Sequence, residues 1–244
     1  MIFAAGLGTR LKPLTDTMPK ALVSVGGQPL LWHIIMKLRA AGYGRIVVNV
    51  HHFAQQIVDY LQANQNFGLD IRISDESDGL LETGGGIRKA RQLFHPASPV
   101  LIHNVDILSN LPLDTLPDKL CTLVVSQRQT KRYLLFNDEM QLVGWTNVET
   151  GEMRGPAAFT PCKLSIDSDF KMLAFSGIHV ITPELLALMD EWPERFPIMD
   201  FYLKACSQKP VYGHEAKDLR LMDVGKLDTL CEAEQFLKDL HNKP

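Results

Sequence analysis

The chain has 244 residues, of which 45% are hydrophobic and 22% charged, and its formal net charge is −3. This composition is typical of a globular protein with a substantial core and excludes a disordered chain. The scattered Lys and Arg argue against a large basic surface, and hence against nucleic acid or an anionic membrane as a partner.

The first 110 residues alternate short β-branched runs with helical patterns, which is typical of βαβ units and a mostly parallel sheet. Pro29 suits a first helical turn, and Gly42 is placed to end the helix that follows. We therefore expect a doubly wound α/β fold with helices on both faces. The predicted strands are Ile2–Ala5, Ile46–Val50, Ile71–Ile73 and Val100–His103, and the predicted helices begin at Pro29 or cover Ala54–Ala63 and Gly86–Leu93.

From about residue 110 the pattern loosens into short strands joined by polar turns. Residues 151–170 show neither the helical period of hydrophobic residues nor the alternation of a strand, which indicates a functional flap or a mobile loop. We predict one domain over residues 1–244, with a first part at about 1–110, an annex at about 111–226 and a closing helix at 227–240. Further predicted elements are strands at Leu123–Val125, Tyr133–Phe136, Leu142–Val143 and Phe175–Val180, and helices at Pro183–Met189, Ile198–Cys206 and Leu227–Leu240.

The spacing of the cysteines and the character of the first residues indicate in which cellular compartment the protein is expected. The cysteines Cys121, Cys162, Cys206 and Cys231 lie far apart without a C-x-x-C pair, so we expect reduced thiols in a cytoplasmic protein. The start is apolar for only about five residues and lacks the features of a signal peptide. No run of about 18 apolar residues occurs, so no membrane span is expected.

A glycine-rich turn follows the first predicted strand, at Gly6 and Gly8. Backbone N–H groups in such a turn can converge on phosphate oxygens. A Rossmann dinucleotide site would need a third glycine, where Leu11 stands, and an acidic residue about 20 positions on, and it has neither. A P-loop would need Gly-Lys-Ser/Thr, whereas Thr9 follows Gly8. Both of these phosphate-binding classes are therefore disfavoured.

The same loop carries three cations, Arg10, Lys12 and Lys20, and the prolines Pro13 and Pro19 stiffen it. Solvated surface charges are the alternative explanation for any one of them. Their position at the end of a parallel strand, where α/β sheets bind ligands, favours contacts with a triphosphate instead.

This segment, Gly6-Leu7-Gly8-Thr9-Arg10-Leu11-x-Pro13-Leu14-Thr15, then Pro19-Lys20 and Val25-x-Gly27-x-Pro29-Leu30, resembles the opening of the sugar nucleotidyltransferases, also called nucleoside-diphosphate-sugar pyrophosphorylases. In that family the glycines wrap the nucleotide phosphates, the arginine faces the departing pyrophosphate, and the lysine reaches the reacting phosphates. The resemblance implies a first part that binds nucleotide and an annex that binds sugar. It implies catalytic roles for Arg10 and Lys20, and nucleotide contacts at Ala5, Gly6, Gly8 and Thr9.

Phosphoryl-type transfer between two anions also calls for carboxylates that hold Mg²⁺. Asp106 follows the predicted strand at 100–103, and Asp223 precedes the last helix. Taken alone, each would as readily cap a turn or a helix. The resemblance implies that both bind the metal, since Asn104-Val105-Asp106 and Asp223-Val224-Gly225 match two motifs of the family. Val105 departs from the glycine that is common at its position.

Other contacts follow from the same resemblance. Thr83, Gly84 and Gly85 would read the base, with a plain helix entry capped by Thr83 as the alternative. Substrate contacts are implied at Asn104, Gly144, Ser176 and Gly177.

For some other polar residues, the sequence favours a role outside the substrate site. We expect the acidic run at 75–78 to be a solvated loop rather than a ribose contact, and His51 and His52 to be turn residues. For Arg128, Lys131 and Arg132, a contact with the sugar phosphate or a lactyl carboxylate is the less favoured interpretation.

The Leu-Glu-Thr-Gly-Gly-Gly form at residues 81–86 is most similar to the short family members that make UDP-N-acetylmuramic acid from the sugar 1-phosphate in peptidoglycan recycling. Mannose-1-phosphate guanylyltransferases come next. The resemblance implies an NTP and a sugar 1-phosphate as partners, with UTP and N-acetylmuramic acid 1-phosphate as the expected pair. A non-catalytic nucleotide-sugar-sensing subunit is the alternative of another class, and the oligomeric state stays open.

Overall fold

The computed structural model describes residues 1–117, 119–156 and 170–241. Cys162 and most of the expected flap lie outside the described residues. The helices are α1 (Leu30–Ala40), α2 (Ala54–Ala63), α3 (Glu82–Ala90), α4 (Pro183–Ala187), α5 (Ile198–Ala205) and α6 (Thr229–His241). The strands are β1 (Ile2–Phe3), β2 (Ser24–Val25), β3 (Gln28–Pro29), β4 (Arg45–Val50), β5 (Asp70–Asp75), β6 (Val100–Asn104), β7 (Ile107–Ser109), β8 (Cys121–Ser126), β9 (Arg132–Phe136), β10 (Leu142–Asn147), β11 (Glu152–Arg154), β12 (Lys171–Ile181), β13 (Tyr212–Glu215) and β14 (Leu221–Asp223).

Within the described ranges, ten of these strands form one sheet in the order β11-β10-β9-β12-β6-β1-β4-β5, and β8 joins β12 to β13. The four strands β5, β4, β1 and β6 run parallel. β12 runs antiparallel to β6, and β9, β10 and β11 continue antiparallel beyond it. The parallel strands come from the first 110 residues, and the antiparallel ones belong to the annex.

Alternating side chains place a hydrophobic cluster on each face of the sheet. In β4, Ile46 and Val48 point to one cluster and Val47 to the other. Helices α1, α2 and α6 supply apolar residues to the first cluster, and α3, α4 and α5 supply the second. Because one sheet separates two helical layers, the predicted doubly wound α/β fold is confirmed.

The short central strand β1 sets the position of the site. Phe3 pairs with Asn49 of β4 on one side and with Asn104 of β6 on the other. These three residues stand at the carboxyl ends of parallel strands, where open α/β sheets bind ligands. Residues 4–23 then leave the sheet as a long loop, and that loop begins at this edge.

Most predicted elements are present, and their ends differ by a few residues. α3 begins at Glu82 instead of Gly86, since the glycines at 84–86 are part of the helix. The short strands β7, β13 and β14 were not predicted, because each is defined by its partner rather than by a periodic pattern. No helix in the part of the chain that the structure describes has the length and apolar character to cross a membrane.

Candidate nucleotide and metal site

A cavity of about 440 Å³ opens at the carboxyl edge of the parallel strands. Its wall is formed by the loop after β1, the end of β6 and the start of α3. Many of the residues predicted for the site line this cavity, namely Ala5, Gly6, Gly8, Thr9, Arg10, Lys20, Thr83, Asn104 and Asp106. Residues about 100 positions apart are thus brought to one place.

The glycine loop is tightly packed at Gly8. Gly8 has φ +64°, and a Cβ there would lie 2.8 Å from Thr15 Cγ2 and 3.0 Å from Lys20 Cβ. Thr15 Oγ1 donates a hydrogen bond to the Gly8 carbonyl at 2.8 Å, which closes the loop on itself. Both the positive φ and the lack of space require glycine at this position.

Lys20 and Asp106 form an ion pair at the floor of the cavity. The Lys20 ammonium donates to Asp106 Oδ2, and Lys20 is only 8% exposed. Val224 N donates to the Asp106 carbonyl at 2.8 Å, and β14 pairs with β7 so that Asp223 faces Ile107. The pairing of these two short strands therefore brings Asp223 beside Asp106.

The pKa of Asp223 reflects several charged groups that lie close to its carboxylate. Partial removal from water raises the pKa of the Asp223 carboxyl, and the facing Asp106 carboxylate raises it further, while Lys20 and Arg10 act in the opposite direction. Gly225 lets these groups approach, because a Cβ there would lie 2.8 Å from both Arg10 Nη2 and Asp223 Oδ1. Two cations and two carboxylates thus lie close together at one end of the cavity, although Asp223 itself is not part of the lining.

This donor set suits a divalent cation that also binds phosphate. Two neighbouring carboxylates repel one another, and a cation between them would relieve that repulsion. The described residues contain no cluster of three or more His, Cys, Asp or Glu arranged to hold a metal. Mg²⁺ commonly uses one or two carboxylates and takes its other ligands from water and substrate phosphates.

The residues predicted to contact sugar are only partly near the cavity. A Cβ on Gly177, whose φ is +72°, would lie 2.8 Å from Asn104 Nδ2, so Gly177 packs directly behind Asn104. Ser176 is buried beside it. Gly144 lies in β10, pairs with Leu135, and is absent from the cavity lining.

Of the segment predicted to read the base, Thr83-Gly84-Gly85, only Thr83 lines the cavity. The N–H groups of Gly84 and Gly85 both donate to the Phe196 carbonyl, at 2.9 and 3.2 Å. A Cβ on Gly84 would lie 2.2 Å from Phe196 Cε2, and one on Gly85 would lie 2.2 Å from the Glu194 carbonyl oxygen. In this structure, the two glycines allow α3 to pack closely against the segment before α5.

Sequence reasoning missed several residues of the cavity wall, among them the polar residues Asn49, Glu76 and Glu82. Glu76 is 0% exposed, so the expectation of a solvated loop is wrong for this residue, although Asp75, Ser77 and Asp78 are exposed. The alternating pattern of β5 ends near Glu76 and offered no signal for its burial. A carboxylate directly after a parallel strand was the one available hint.

The remaining polar candidates lie away from the lining of this cavity. His51 bonds through Nδ1 to the Glu76 carbonyl at 2.7 Å, as suits a turn residue. Arg128 donates to the Phe175 carbonyl at 3.0 Å and borders a second cavity of about 610 Å³. Lys131 pairs with Glu149.

Comparison with known proteins gives consistent results. Residues 1–122 match the family described as nucleotidyl transferase. The chain is 48% identical to the N-acetylmuramate alpha-1-phosphate uridylyltransferase of Caulobacter vibrioides, over 98% of this chain and 96% of that protein. A protein of the same name from Neisseria meningitidis serogroup B is 44% identical over 46% of this chain and 48% of its own length.

Solved structures with low sequence identity share the fold. HddC from Yersinia pseudotuberculosis complexed with GMP-PN matches with a TM-score of 0.73 and 19% identity, over 97% of both chains. A UDP-glucose pyrophosphorylase complexed with UDP-glucose matches with a TM-score of 0.75 and 16% identity, over 98% of this chain and 97% of that one. These likenesses concern the fold, and they agree with the mixed sheet described above.

Proposed function

The chain belongs to the sugar-1-phosphate nucleotidyltransferase family, and from that premise we propose that it transfers a uridylyl group from UTP to N-acetylmuramic acid 1-phosphate. Enzymes of this family transfer the nucleotidyl group of an NTP to a sugar 1-phosphate and give an NDP-sugar. The choice of UTP and of this sugar is supported by the 48% identity with a uridylyltransferase over nearly the whole chain.

One observation supports the assignment of the reacting phosphates to the 440 Å³ cavity. Arg10, Lys20 and Asp106 all line it, and Asp223 lies beside them at Gly225. Transfer to a phosphate oxygen joins two anions, so charge neutralisation and positioning contribute more than a protein nucleophile would.

In the proposed reaction a phosphate oxygen of the sugar 1-phosphate attacks the α-phosphorus of UTP in line. The bond from the α-phosphorus to the bridging oxygen breaks, and pyrophosphate leaves with that electron pair. Arg10 would neutralise the departing pyrophosphate, and Lys20 would bind the reacting phosphates. Ala5, Gly6, Gly8 and Thr9 would orient the triphosphate through the loop that they form.

We propose Mg²⁺ as the metal, held by Asp106 and Asp223. When bound, it would neutralise phosphate charge and polarise the phosphorus–oxygen bonds. Lys20 contacts Asp106 in the structure, so this lysine occupies part of the carboxylate's coordination space. Lys20 would then move towards phosphate when the metal binds.

The cytoplasm is the proposed location, and cell-wall recycling the proposed context, since the product would be a nucleotide-activated wall sugar. Cys121, Cys206 and Cys231, the cysteines in the described ranges, are free thiols, as suits a reducing compartment.

The test is pyrophosphate release with UTP, GTP, CTP and dTTP, each combined with the 1-phosphates of N-acetylmuramic acid, N-acetylglucosamine, glucose and mannose. We expect the highest kcat/KM for UTP with N-acetylmuramic acid 1-phosphate. A preference for GTP with mannose 1-phosphate would replace this substrate assignment. Thermal stabilisation by nucleotides without turnover of any pair would instead support a sensing subunit.

A further inference from the structure

A buried carboxylate stands behind the glycine loop. Glu76 is 0% exposed and still contributes to the wall of the 440 Å³ cavity. Among the described residues, its side chain receives hydrogen bonds from an amide side chain and a backbone N–H rather than from a cation. Burial of an unpaired carboxylate is unfavourable for folding, which leaves its presence here to be explained.

The hydrogen bonds of Glu76 join three separate segments. Its Oε1 accepts from Asn49 Nδ2 at 2.7 Å, and its Oε2 accepts from the N–H of Leu81 at 3.2 Å. Asn49 Oδ1 in turn accepts from the N–H of Ala4 at 2.7 Å. Ala4 is the first residue after β1, and Leu81 directly precedes α3.

We infer that Glu76 is a positioning residue for nucleotide binding, one that acts through Asn49 on the glycine loop and through Leu81 on the segment that carries Thr83. The assignment of nucleotide to this cavity rests on the proposed function. A carboxylate has only acceptors, so it turns the Asn49 amide with Nδ2 towards Glu76 and Oδ1 towards the Ala4 N–H. The start of the loop is thereby fixed in one orientation.

Gly86 provides a second, independent observation. A Cβ at this position would lie 2.8 Å from Glu76 Oε1 and 3.3 Å from Asn49 Nδ2. Helix α3 therefore approaches the Glu76–Asn49 pair closely, and only glycine leaves enough room. This accounts for the third glycine of the Thr-Gly-Gly-Gly run, since Gly84 and Gly85 pack against residues 194–196.

An exchange of polarity tests the inference. In Glu76→Gln, the new amide nitrogen faces the Asn49 amide nitrogen if the Leu81 bond is kept, so two donors oppose each other. In Asn49→Asp, two carboxylates oppose each other. The double variant Asn49→Asp with Glu76→Gln restores all three bonds and keeps one carboxylate. In it, the introduced glutamine donates through its amide nitrogen to the introduced aspartate, and that aspartate still accepts from the Ala4 N–H.

Two measurements apply to each variant: kcat/KM for UTP, and amide hydrogen exchange of the peptide that covers residues 4–11. We expect each single change to lower kcat/KM about tenfold or more and to speed exchange in that peptide. The double variant should return to within about threefold of the wild type in both readouts.

Thr122→Val is the matched control. It removes one buried hydrogen bond, from Thr122 Oγ1 to the Pro117 carbonyl at 3.3 Å, in strand β8. We expect it to lower the melting temperature without a change in kcat/KM or in exchange at residues 4–11. A purely structural role for Glu76 would make Glu76→Gln behave like this control.

The double variant decides the outcome even if a single variant does not fold. Recovery of both readouts supports the inference. A tenfold deficit in the folded double variant, or failure of the double variant to fold, overturns it, since the swap preserves every bond. If the wild-type chain turns over no nucleotide, the proposed function fails, while the exchange measurement still tests the network.

Discussion

The Asp223 carboxylate lies close to Asp106 at one end of the cavity, and its pKa is raised by desolvation and by Asp106. Asp223→Asn keeps the size of the side chain and removes the charge that would hold a cation. We expect kcat/KM to fall about a hundredfold or more, as when a group that stabilises developing charge is lost. Pyrophosphate release measures this effect.

Asp218→Asn is the control for Asp223→Asn. Asp218 is an exposed carboxylate five positions earlier, and its φ of +57° is one that asparagine tolerates. It should leave kcat/KM unchanged. Near-normal turnover of Asp223→Asn and of Asp106→Asn would contradict the metal assignment.

His179 is a residue whose burial gives stability a pH dependence. It is 1% exposed, neither ring nitrogen has a hydrogen-bond partner among the described residues, and burial lowers its pKa to about 3. The unfolded histidine titrates near 6.5. Between pH 6.5 and pH 3 the unfolded chain binds a proton that the folded chain does not, so stability falls as the pH falls.

His179→Leu should remove this contribution. Relative to the wild type, the free energy of unfolding of the variant should rise by about 1.4 kcal/mol for each pH unit below 6.5. Urea unfolding at pH 7, 6 and 5 measures the difference. A difference between the variant and the wild type that stays constant from pH 7 to pH 5 would contradict this assignment.

At the scale of elements, helix α3 depends on close packing at its glycines, and the contacts are shortest at Gly84 and Gly85. A Cβ on Gly84 meets Phe196, and a Cβ on Gly85 meets a backbone carbonyl oxygen, each at 2.2 Å. We expect Gly84→Ala and Gly85→Ala each to destabilise the fold by about 1–3 kcal/mol through overpacking. Chemical denaturation measures this loss.

Gly44→Ala is the control for these glycine variants. Gly44 is exposed, and no atom lies within 4 Å of a Cβ built there. Its effect on the free energy of unfolding should be small. If all three variants were equally stable, the close packing of α3 against residues 194–196 would not be what requires glycine.

The elements also show what a sequence can reveal about this fold. Strands β4 and β6 were predictable because each is a continuous, largely apolar run, and helix α2 because its apolar residues recur with a helical period. Strands β7 and β14 were not, because only their pairing with each other defines them, and this pairing brings Asp223 to Asp106. Glu76 was missed because its partner Asn49 is 27 residues away on another strand.

At the scale of the whole molecule, the two hydrophobic clusters share the same strands, and α6 returns from the C-terminal end to pack on the first cluster. The division into a nucleotide part and a sugar annex remains a prediction. Because the two clusters have a common sheet, we expect the parts to unfold together rather than in two steps.

Variants with a single tryptophan test this expectation. Trp32 lies in α1, and Trp145 is buried in β10 beneath Arg154. In a variant that retains only Trp32, and in another that retains only Trp145, fluorescence and far-UV circular dichroism should report the same unfolding midpoint within each protein. Separate midpoints in either variant would show that the two parts unfold independently.

The ion pair of Lys20 with Asp106 has a consequence for how the ligands depend on one another. Arg10 and Lys20 contribute two positive charges and Asp106 and Asp223 two negative ones, so this quartet sums to zero. Arg128, the further cation that acts on Asp223, lies outside this quartet. We therefore expect the quartet itself to offer a triphosphate alone no net attraction, and a divalent ion alone to have to displace an ammonium group. If both bind there as proposed, each would relieve the cost of the other, and by thermodynamic reciprocity each would raise the other's affinity by the same factor. Calorimetric titration of UTP with and without Mg²⁺, and of Mg²⁺ with and without UTP, would measure the two factors and show whether they are equal.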